Sequence, residues 1–260
     1  MTNVEAIAGF LEQFAPTRLA EEWDNVGLLV GDRQREVRRL MTCLTITPDT
    51  AAEAIDERAE LIVAHHPLPF RPLKRLTADR PTGRMLLDLI AARVAVYSPH
   101  TAFDSASQGI NQRLAEGLGL GRIEPLVPGD DGLGTGRVGR LSRGLTLGKL
   151  AERLKQFLGI DHLQMVGQPD RPVATVAVAC GSAGELLDAA RAAGSDALLI
   201  GETRFHTCLE AEADGIGLLL PGHFASERFA VECLAEVLAG QFPDLRVWAS
   251  RRERDPLRLA

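Results

Sequence analysis

The sequence has few cysteines and no long hydrophobic run. Its 260 residues include four widely separated cysteines, with no CxxC pair among them, so the pattern predicts neither a disulfide framework nor a cysteine-based zinc site. These residues are Cys43, Cys180, Cys208 and Cys233. The strongly apolar stretches, such as VATVAVAC, are far shorter than the roughly 18 residues that span a bilayer. We therefore expect reduced cysteines in a core and no membrane span.

An excess of positive charge is also missing. The formal net charge is -6 at pH 7, which argues against a DNA-binding surface that neutralises phosphates. The N-terminal segment is amphipathic and acidic, whereas a signal peptide has a basic start and an unbroken apolar stretch. With 45% hydrophobic residues, the composition is typical of a soluble globular protein. We expect a cytoplasmic protein whose main partner is not nucleic acid.

The chain does contain an alternation of apolar, strand-like runs with helical patterns. The alternation begins near residue 38, stops at a glycine-rich break at 127–139, and then resumes. Unbroken apolar strands separated by helices are typical of βαβ units that have helices on both faces of a sheet. The sequence predicts an α/β fold with two similar βαβ-type lobes, the first at 1–126 and the second at 127–260.

The two predicted lobes share a spacing that suggests an internal duplication. In each lobe a strand ends in a histidine that is followed four residues later by a carboxylate, namely His100 with Asp104 and His223 with Glu227. The first lobe is the longer one because of a segment near 70–83, which we interpret as an inserted hairpin or loop. A duplication of this period predicts two lobes and not a solenoid.

Four of the six histidines lie at the predicted carboxyl ends of strands: His65, His66, His100 and His223. In open α/β sheets ligands bind at this edge, because the loops diverge there. Together with Asp104 and Glu227, these histidines offer nitrogen and oxygen donors that suit Zn, Fe, Mn or a similar divalent ion. The alternative is that they are structural, hydrogen-bonded residues. Neighbouring side chains of a regular strand point to opposite faces, so His65 and His66 are not expected to converge on one atom.

Two acidic residues of the second lobe allow more than one interpretation. Glu227 is predicted on the apolar face of a helix, one turn before Ala230, where an unpaired charge is costly and a metal would remove the cost. The alternative is stabilisation by the positive end of the helix dipole. Glu202, in the segment GETRFHT, is an acid–base candidate or a partner of a metal ligand. His206 of the same segment is either functional or a capping residue.

Two segments of the first lobe are also ambiguous. Trp23, Asp24 and Asn25 precede an apolar run, and Asp-Asn in that position is more typical of a turn than of catalysis. The basic segment at 71–76 is typical of a solvated loop. If this loop overhangs the site, it offers three cations to a phosphate, namely Arg71, Lys74 and Arg75.

Five separated motifs carry a resemblance to a known family. They are WDNVGLLVGD, AHHPLPF, YSPHTAFD, GETRFH and PGHFASER. In this order and at these spacings they resemble the GTP cyclohydrolase 1 type 2 homologue family, also called the NGG-interacting factor-like family. The resemblance extends over nearly the whole chain. It implies a duplicated α/β fold, a pair of divalent metal ions in the cleft between the lobes, and a ring-shaped homohexamer.

The resemblance also implies roles for particular residues. The metal ligands would be His65, His66, Asp104, His223 and Glu227. His100 would be a partner that orients the ligands. One departure is visible, because the family often has two histidines after the Gly-Glu corner, where this chain has Phe205 followed by His206.

The function expected on these grounds is a metal-dependent, dinuclear hydrolase that acts on a nucleotide or on a purine- or pterin-like small molecule. Two cations would make a bridging water more acidic and would polarise the bond that the water attacks. Glu202 or His100 would then transfer the proton. No P-loop motif is present to hold a nucleotide. The alternatives are a non-enzymatic protein that binds or delivers metal, and a ring scaffold in which the metals only join the lobes.

Overall fold

The computed structural model describes residues 1–129 and 132–258. Within them the chain forms two compact units. The first consists of Met1–Phe103 with Ala230–Ala260, and the second of Asp104–Phe229. The predicted lobes at 1–126 and 127–260 refer to a repeat in the sequence and stay a prediction. The compact units divide the chain elsewhere, because their boundaries fall inside the helices His100–Ser105 and His223–Gln241.

The elements of the described residues alternate along most of the chain. The helices are α1 (Val4–Phe14), α2 (Pro48–Asp56), α3 (Pro81–Ala91), α4 (His100–Ser105), α5 (Ile110–Gly117), α6 (Leu147–Leu158), α7 (Leu187–Ala192), α8 (Phe205–Asp214) and α9 (His223–Gln241). The strands are β1 (Gly27–Val30), β2 (Arg39–Cys43), β3 (Leu61–Ala64), β4 (Ala95–Ser98), β5 (Leu120–Glu124), β6 (Val127–Pro128), β7 (Gly134–Thr135), β8 (Arg137–Thr146), β9 (Gln164–Val166), β10 (Pro172–Val178), β11 (Ala197–Leu199), β12 (Gly217–Leu220) and β13 (Arg246–Ala249).

The first unit is built on a five-stranded sheet in the order β1-β4-β3-β2-β13. Strands β13, β2, β3 and β4 run parallel, and β1 is antiparallel to β4. Every residue of β3 and β4 is buried, as expected for parallel strands that are covered on both faces. The core around them includes Met41, Ile62, Leu89 and Val96.

The second unit contains a six-stranded sheet in the order β5-β8-β10-β11-β12-β9. Strands β10, β11 and β12 are parallel, whereas β8 and β9 pair antiparallel with β10 and β12. Each unit thus has three consecutive parallel strands joined through helices, and the third strand pairs with an antiparallel strand that precedes the first. The α/β class is confirmed. A common origin of the halves by duplication stays a prediction.

Local sequence signals explain several element ends. Helix α2 begins with a capping box, in which Thr47 accepts from the backbone N–H of Thr50 and the Thr50 hydroxyl accepts in return. Helix α6 ends at Gly159, whose φ of +66° is the left-handed conformation that glycine adopts without strain. The predicted insertion at 70–83 is an exposed loop up to the start of α3 at Pro81.

The glycine-rich break predicted at 127–139 contains regular structure. The short strands β6 and β7 pair antiparallel, and β8 begins at Arg137. Asp130 and Asp131 of the break lie outside the described residues. Across the described part of the chain, no helix combines the length and the apolar character that crossing a membrane requires.

Candidate metal centre

Three histidines of the first unit, His65, His66 and His100, lie close together at the carboxyl ends of β3 and β4. The ring centroids are 5.0 Å apart for His65 and His66, 5.2 Å for His65 and His100, and 5.5 Å for His66 and His100. One nitrogen can be chosen from each ring so that all three lie within 4.8 Å of one another. Such a set of convergent imidazoles suits a zinc-like divalent ion.

The His65–His66 pair lies beyond the strand and not within it. Strand β3 ends at Ala64, and the N–H groups of His65 and His66 donate to the carbonyls of Cys43 and Leu44 at 2.9 and 2.8 Å. In a regular parallel strand only every second residue donates its N–H to the same neighbouring strand. Here two consecutive residues donate to the segment that ends β2, so the chain has left strand geometry at this point. Both imidazoles therefore converge, and the expectation that they point to opposite faces is wrong.

Two of these histidines have Nδ1 engaged by an oxygen atom. His66 Nδ1 lies 2.7 Å from Thr45 Oγ1, and His100 Nδ1 lies 2.7 Å from Asp24 Oδ1. Because a carboxylate only accepts, Nδ1 of His100 carries the proton. In His100 the lone pair is then on Nε2, which is the ring nitrogen that can bind a cation. Thr45 is itself held by Glu253, whose carboxylate accepts from the Thr45 N–H at 2.6 Å.

Asp24 has more contacts in the structure than the turn that its sequence context favours would require. Its side chain is fully buried. Burial alone would raise the pKa of Asp24, but hydrogen bonds from His100 and Thr101 outweigh this effect and lower the pKa from 3.8 to about 2. Asp24 also accepts from the Asn25 N–H at 2.7 Å, and the turn lies just before it, at Glu22 and Trp23. The same carboxylate additionally fixes His100, whose φ of +27° is unusual for a residue other than glycine.

In the second unit, His223 lies between two carboxylates. Its Nδ1 is 2.9 Å from Glu202 Oε1, and its Nε2 is 3.1 Å from Glu227 Oε2. The contact with Glu227, supported by the charges of Glu227 and Glu202, raises the pKa of His223 from 6.5 to about 9. The imidazole is therefore a cation at neutral pH, which donates from Nδ1 to Glu202 and forms an ion pair with Glu227 through Nε2. A divalent ion would take the place of the Nε2 proton.

Glu227 is buried, with 4% of its side chain exposed. This burial is what a position on the apolar face of the helix implies. Glycine is favoured opposite it, because a Cβ on Gly181 would lie 2.4 Å from Glu227 Oε1 and displace the carboxylate, and because the φ of Gly181 is +62°.

Asp104 contacts a cysteine that the sequence interpretation treated only as core. The Cys180 thiol donates to Asp104 Oδ1 at 3.1 Å, and the Cys180 N–H donates to Asn111 Oδ1 at 2.7 Å. Burial, with the negative charges of Asp104 and Glu227, raises the pKa of the Cys180 thiol well above its ordinary value. The sulfur therefore stays protonated and acts as a hydrogen-bond donor to Asp104.

A buried arginine anchors the helix that carries Asp104. Arg137 is 2% exposed. Its guanidinium donates at 2.6–3.0 Å to the carbonyls of Ser105, Ala106, Gly134 and Gly136 and to Oε1 of Gln112. Two of these carbonyls, those of Ser105 and Ala106, lie at the end of α4, where carbonyls have no partner within the helix. Arg137 therefore fixes the helix end next to Asp104.

The remaining candidate residues are near the surface. Glu202 has 49% of its side chain exposed, while Phe205 is 71% exposed. His206 lies in the first turn of α8, where no side-chain cap is formed, so it is not a capping residue. Sequence reasoning missed the roles of Thr45, Asp24 and Cys180, because their contacts join segments far apart in the chain.

Comparison with known proteins agrees with the resemblance seen in the motifs. A sequence model of the Duf34/NIF3 (NGG1p interacting factor 3) family matches residues 2–256. The GTP cyclohydrolase 1 type 2 homolog of Clostridium acetobutylicum is 33% identical over 241 residues, which cover 92% of this chain and 90% of that protein. The protein of the same name from Streptomyces coelicolor is 34% identical over 267 residues, which cover 98% of this chain and 94% of the relative.

Solved structures share the fold. Reduced HcgD from Methanocaldococcus jannaschii superimposes with a TM-score of 0.84 at 28% identity, covering 95% of this chain and 97% of that chain. A Bacillus cereus protein related to NIF3 gives a TM-score of 0.91 at 24% identity, covering 100% of this chain and 99% of that one. The second likeness is evidence for the fold alone. The family resemblance drawn from the five motifs is confirmed.

Proposed function

This chain belongs to the Duf34/NIF3 family, and on that premise we propose that it is a metal-dependent hydrolase with a pair of divalent ions. Its substrate would be a nucleotide or a purine- or pterin-like small molecule. The reaction is suggested by the name of its relatives, GTP cyclohydrolase 1 type 2 homolog. The name alone does not assign the activity, since one fold can serve many reactions.

One observation carries the proposal. In three histidines of the candidate centre, His66, His100 and His223, Nδ1 is hydrogen-bonded to an oxygen atom. Those oxygens belong to Thr45, Asp24 and Glu202. Metal-binding histidines typically present one nitrogen to the ion and bond the other to an oxygen, which fixes the ring orientation and makes the ligand more basic. The repetition of this pattern is what a metal centre requires.

The donor set fits divalent ions such as Zn, Fe or Mn. The proposed ligands are His65, His66, Asp104, His223 and Glu227. Three imidazoles and two carboxylates satisfy the preferences of these ions and neutralise part of their charge. His100 also lies within ligand distance of His65 and His66, so it is a further candidate donor besides being an orienting partner.

Metal ions in such a site, when bound, acidify water and polarise the bond that is attacked. The protein side chains supply the proton transfers. His100, held in one tautomer by Asp24, can accept a proton at Nε2. Glu202 is half exposed and bonded to His223, so it can pass a proton between the centre and solvent. Arg137 and the Cys180 thiol hold the Asp104 end of the donor set in place.

Two further features complete the proposal. We propose that the two halves arose by duplication, and that the protein assembles as a ring-shaped homohexamer. The assembly predicts a mass about six times the 28.1 kDa of the chain, which light scattering on the purified protein measures directly.

The decisive experiment combines elemental analysis with a turnover assay. Purified protein would be assayed for Zn, Fe and Mn and then screened for hydrolysis of GTP and related purine and pterin nucleotides. His65→Ala and Glu227→Gln are expected to lose metal and turnover together, whereas Glu236→Gln, an exposed residue of the same helix as Glu227, is expected to retain both. Turnover that is unchanged in the two ligand variants would overturn the mechanism. Bound metal without turnover would support the metal-binding or metal-delivery alternative.

A further inference from the structure

Two exposed aromatic side chains lie beside the histidines of the first unit. Trp23 is 62% exposed and Phe70 is 47% exposed. Their ring centroids are 5.9 Å apart, and each lies 6.0 Å from the ring centroid of His100. Neighbouring aromatic rings that face solvent mark a binding surface more often than isolated exposed residues do. The position next to His100 connects this surface with the candidate metal centre.

The two aromatic residues are held by bonds from their neighbours in the chain. Asp24, directly after Trp23, is bonded to His100 and Thr101. Asn25 Nδ2 donates to the carbonyl of Pro69, directly before Phe70, at 2.7 Å. The loops that carry Trp23 and Phe70 are therefore tied to each other and to the histidine. A surface that is ordered before the ligand arrives loses little conformational entropy on binding.

We propose that Trp23 and Phe70 form a platform for the planar heteroaromatic ring of the substrate, with the reacting part of the substrate directed toward His100. The two rings are tilted by 56° to each other, so one contacts the substrate ring by stacking and the other by its edge. This inference rests on the proposed function and deepens it by assigning the ring-binding site. Every base offers a π-face to an aromatic side chain, so the platform selects flat heteroaromatic rings as a class. Sugars and aliphatic acids offer no such face.

The segment that follows Phe70 gives the substrate a second property. Residues 71–76 are all exposed and include Arg71, Lys74 and Arg75 but no acidic residue. Cations on an exposed loop that begins next to the platform favour an anionic substituent, and arginine is especially suited to phosphate. The expected ligand is thus a heteroaromatic ring that carries phosphate, as in a purine or pterin nucleotide.

Tryptophan fluorescence gives a direct test that does not depend on turnover. The chain has two tryptophans, so Trp248→Phe leaves Trp23 as the only one. The metal-loaded Trp248→Phe protein would be titrated with GMP, and with ribose 5-phosphate as the matched probe without an aromatic ring. Saturable quenching by GMP is expected, with no quenching by ribose 5-phosphate.

Two additional substitutions in the Trp248→Phe background locate the site. Phe70→Ala is expected to weaken GMP binding about 10-fold or more, as removal of a stacking partner does. Ile90→Ala is the matched control, because Ile90 has the same exposed fraction of 47% as Phe70 but lies at the end of α3, before β4 begins. Metal content and circular dichroism are measured for each variant. Both should be unchanged, because neither Phe70 nor Ile90 is a proposed metal ligand.

The outcomes separate this inference from the proposed function. Absence of saturable quenching, or equal quenching by ribose 5-phosphate, overturns the platform, while metal content and turnover still decide the hydrolase. Ring binding that depends on Phe70 in a protein without turnover supports the platform and counts against the hydrolase. If Phe70→Ala changes the mass of the assembly but not the affinity for GMP, the aromatic surface is a contact between subunits and the inference is wrong.

Discussion

Glu227 is the proposed metal ligand whose removal can be quantified from the structure. Its carboxylate is buried and its Oε2 lies 3.1 Å from His223 Nε2. The substitution Glu227→Gln keeps the shape of the side chain but removes the negative charge. It should therefore weaken two interactions, the ion pair with His223 in the metal-free protein and the bond to the ion in the metal-loaded protein.

The metal-free effect follows from the pKa of His223. The increase in this pKa from 6.5 to about 9 corresponds to about 3.4 kcal/mol of interaction with the protonated ring. The His223 side chain is 34% exposed, and Glu202 contributes part of the shift. Solvent screening and this sharing reduce the contribution of Glu227 to about 1–2 kcal/mol. For a chain of this size we expect Tm to fall by about 5 °C.

The metal-loaded protein should show a larger difference. At a free metal concentration 100 times Kd, binding adds about 2.7 kcal/mol to the stability of the wild-type protein. If loss of a ligand weakens affinity 100-fold, the same concentration adds only about 0.4 kcal/mol to Glu227→Gln. The stability gap between the two proteins should therefore widen by about 2.3 kcal/mol on loading.

Differential scanning calorimetry of stripped and reloaded protein measures both differences. Zn²⁺ and Mn²⁺ would be tested separately, and Glu236→Gln serves as the control because Glu236 is exposed on the same helix. The control should follow the wild-type protein in both states. If reloading raises the Tm of Glu227→Gln as much as that of the wild-type protein, Glu227 is not a metal ligand and the reasoning fails.

Three other variants or titrations test separate parts of the structure. Asp24→Asn should weaken metal affinity about 10- to 100-fold, because an amide no longer fixes the His100 tautomer; calorimetric titration with Zn²⁺ would measure it, and an unchanged affinity would contradict the role of Asp24. Burial alone would raise the pKa of Glu53, but hydrogen bonds to its carboxylate, first of all the one from the Ser250 hydroxyl, lower this pKa from 4.5. The ionised carboxylate therefore stabilises the fold above pH 4.5, and this stabilisation is lost as the pH falls through the lowered pKa. Glu53→Gln should therefore reduce Tm at neutral pH and less so in acid, and a pH-independent difference would refute this. Burial raises the pKa of Tyr97 to about 12, and since the chain has a single tyrosine, an ultraviolet titration should show no ionisation at the ordinary value of 10.0 while the protein is folded.

The sequence was sufficient for the fold class and for the candidate donors, because both depend on local patterns. Buried strands such as β3 and β4 appear as unbroken apolar runs, and the edge at which they end follows from their parallel direction. The orientation of the imidazoles depends on contacts between distant segments. The Asp24–His100 bond joins residues 76 positions apart, and the Thr45–His66 bond joins residues 21 apart. The wrong expectation for His65 and His66 came from extending regular strand geometry two residues beyond Ala64.

The carboxylates that orient His100 and His223 come from different places in the two units. Glu202 follows β11, the middle one of three parallel strands, whereas the residues that follow the corresponding strand β3 are His65 and His66. In the first unit Asp24, which precedes β1, supplies the carboxylate instead. The two units thus share a strand topology but take the carboxylate from different segments, and in both units it bonds to Nδ1 of a histidine. The carboxylate at Nδ1 is therefore better explained by what the imidazole needs chemically than as a by-product of the fold.

The two carboxylates should differ in one measurable respect, which follows from their exposure. The Asp24 side chain is fully buried, whereas that of Glu202 is 49% exposed. Water can replace Glu202 as the acceptor of the bond from His223, but cannot replace the buried Asp24 as the acceptor of the bond from His100. We therefore expect Asp24→Asn to lower both Tm and metal affinity, and Glu202→Gln to lower metal affinity with little change in Tm. Equal losses of Tm would show that the Glu202–His223 bond is structural and would remove the main argument for a metal-orienting role of Glu202.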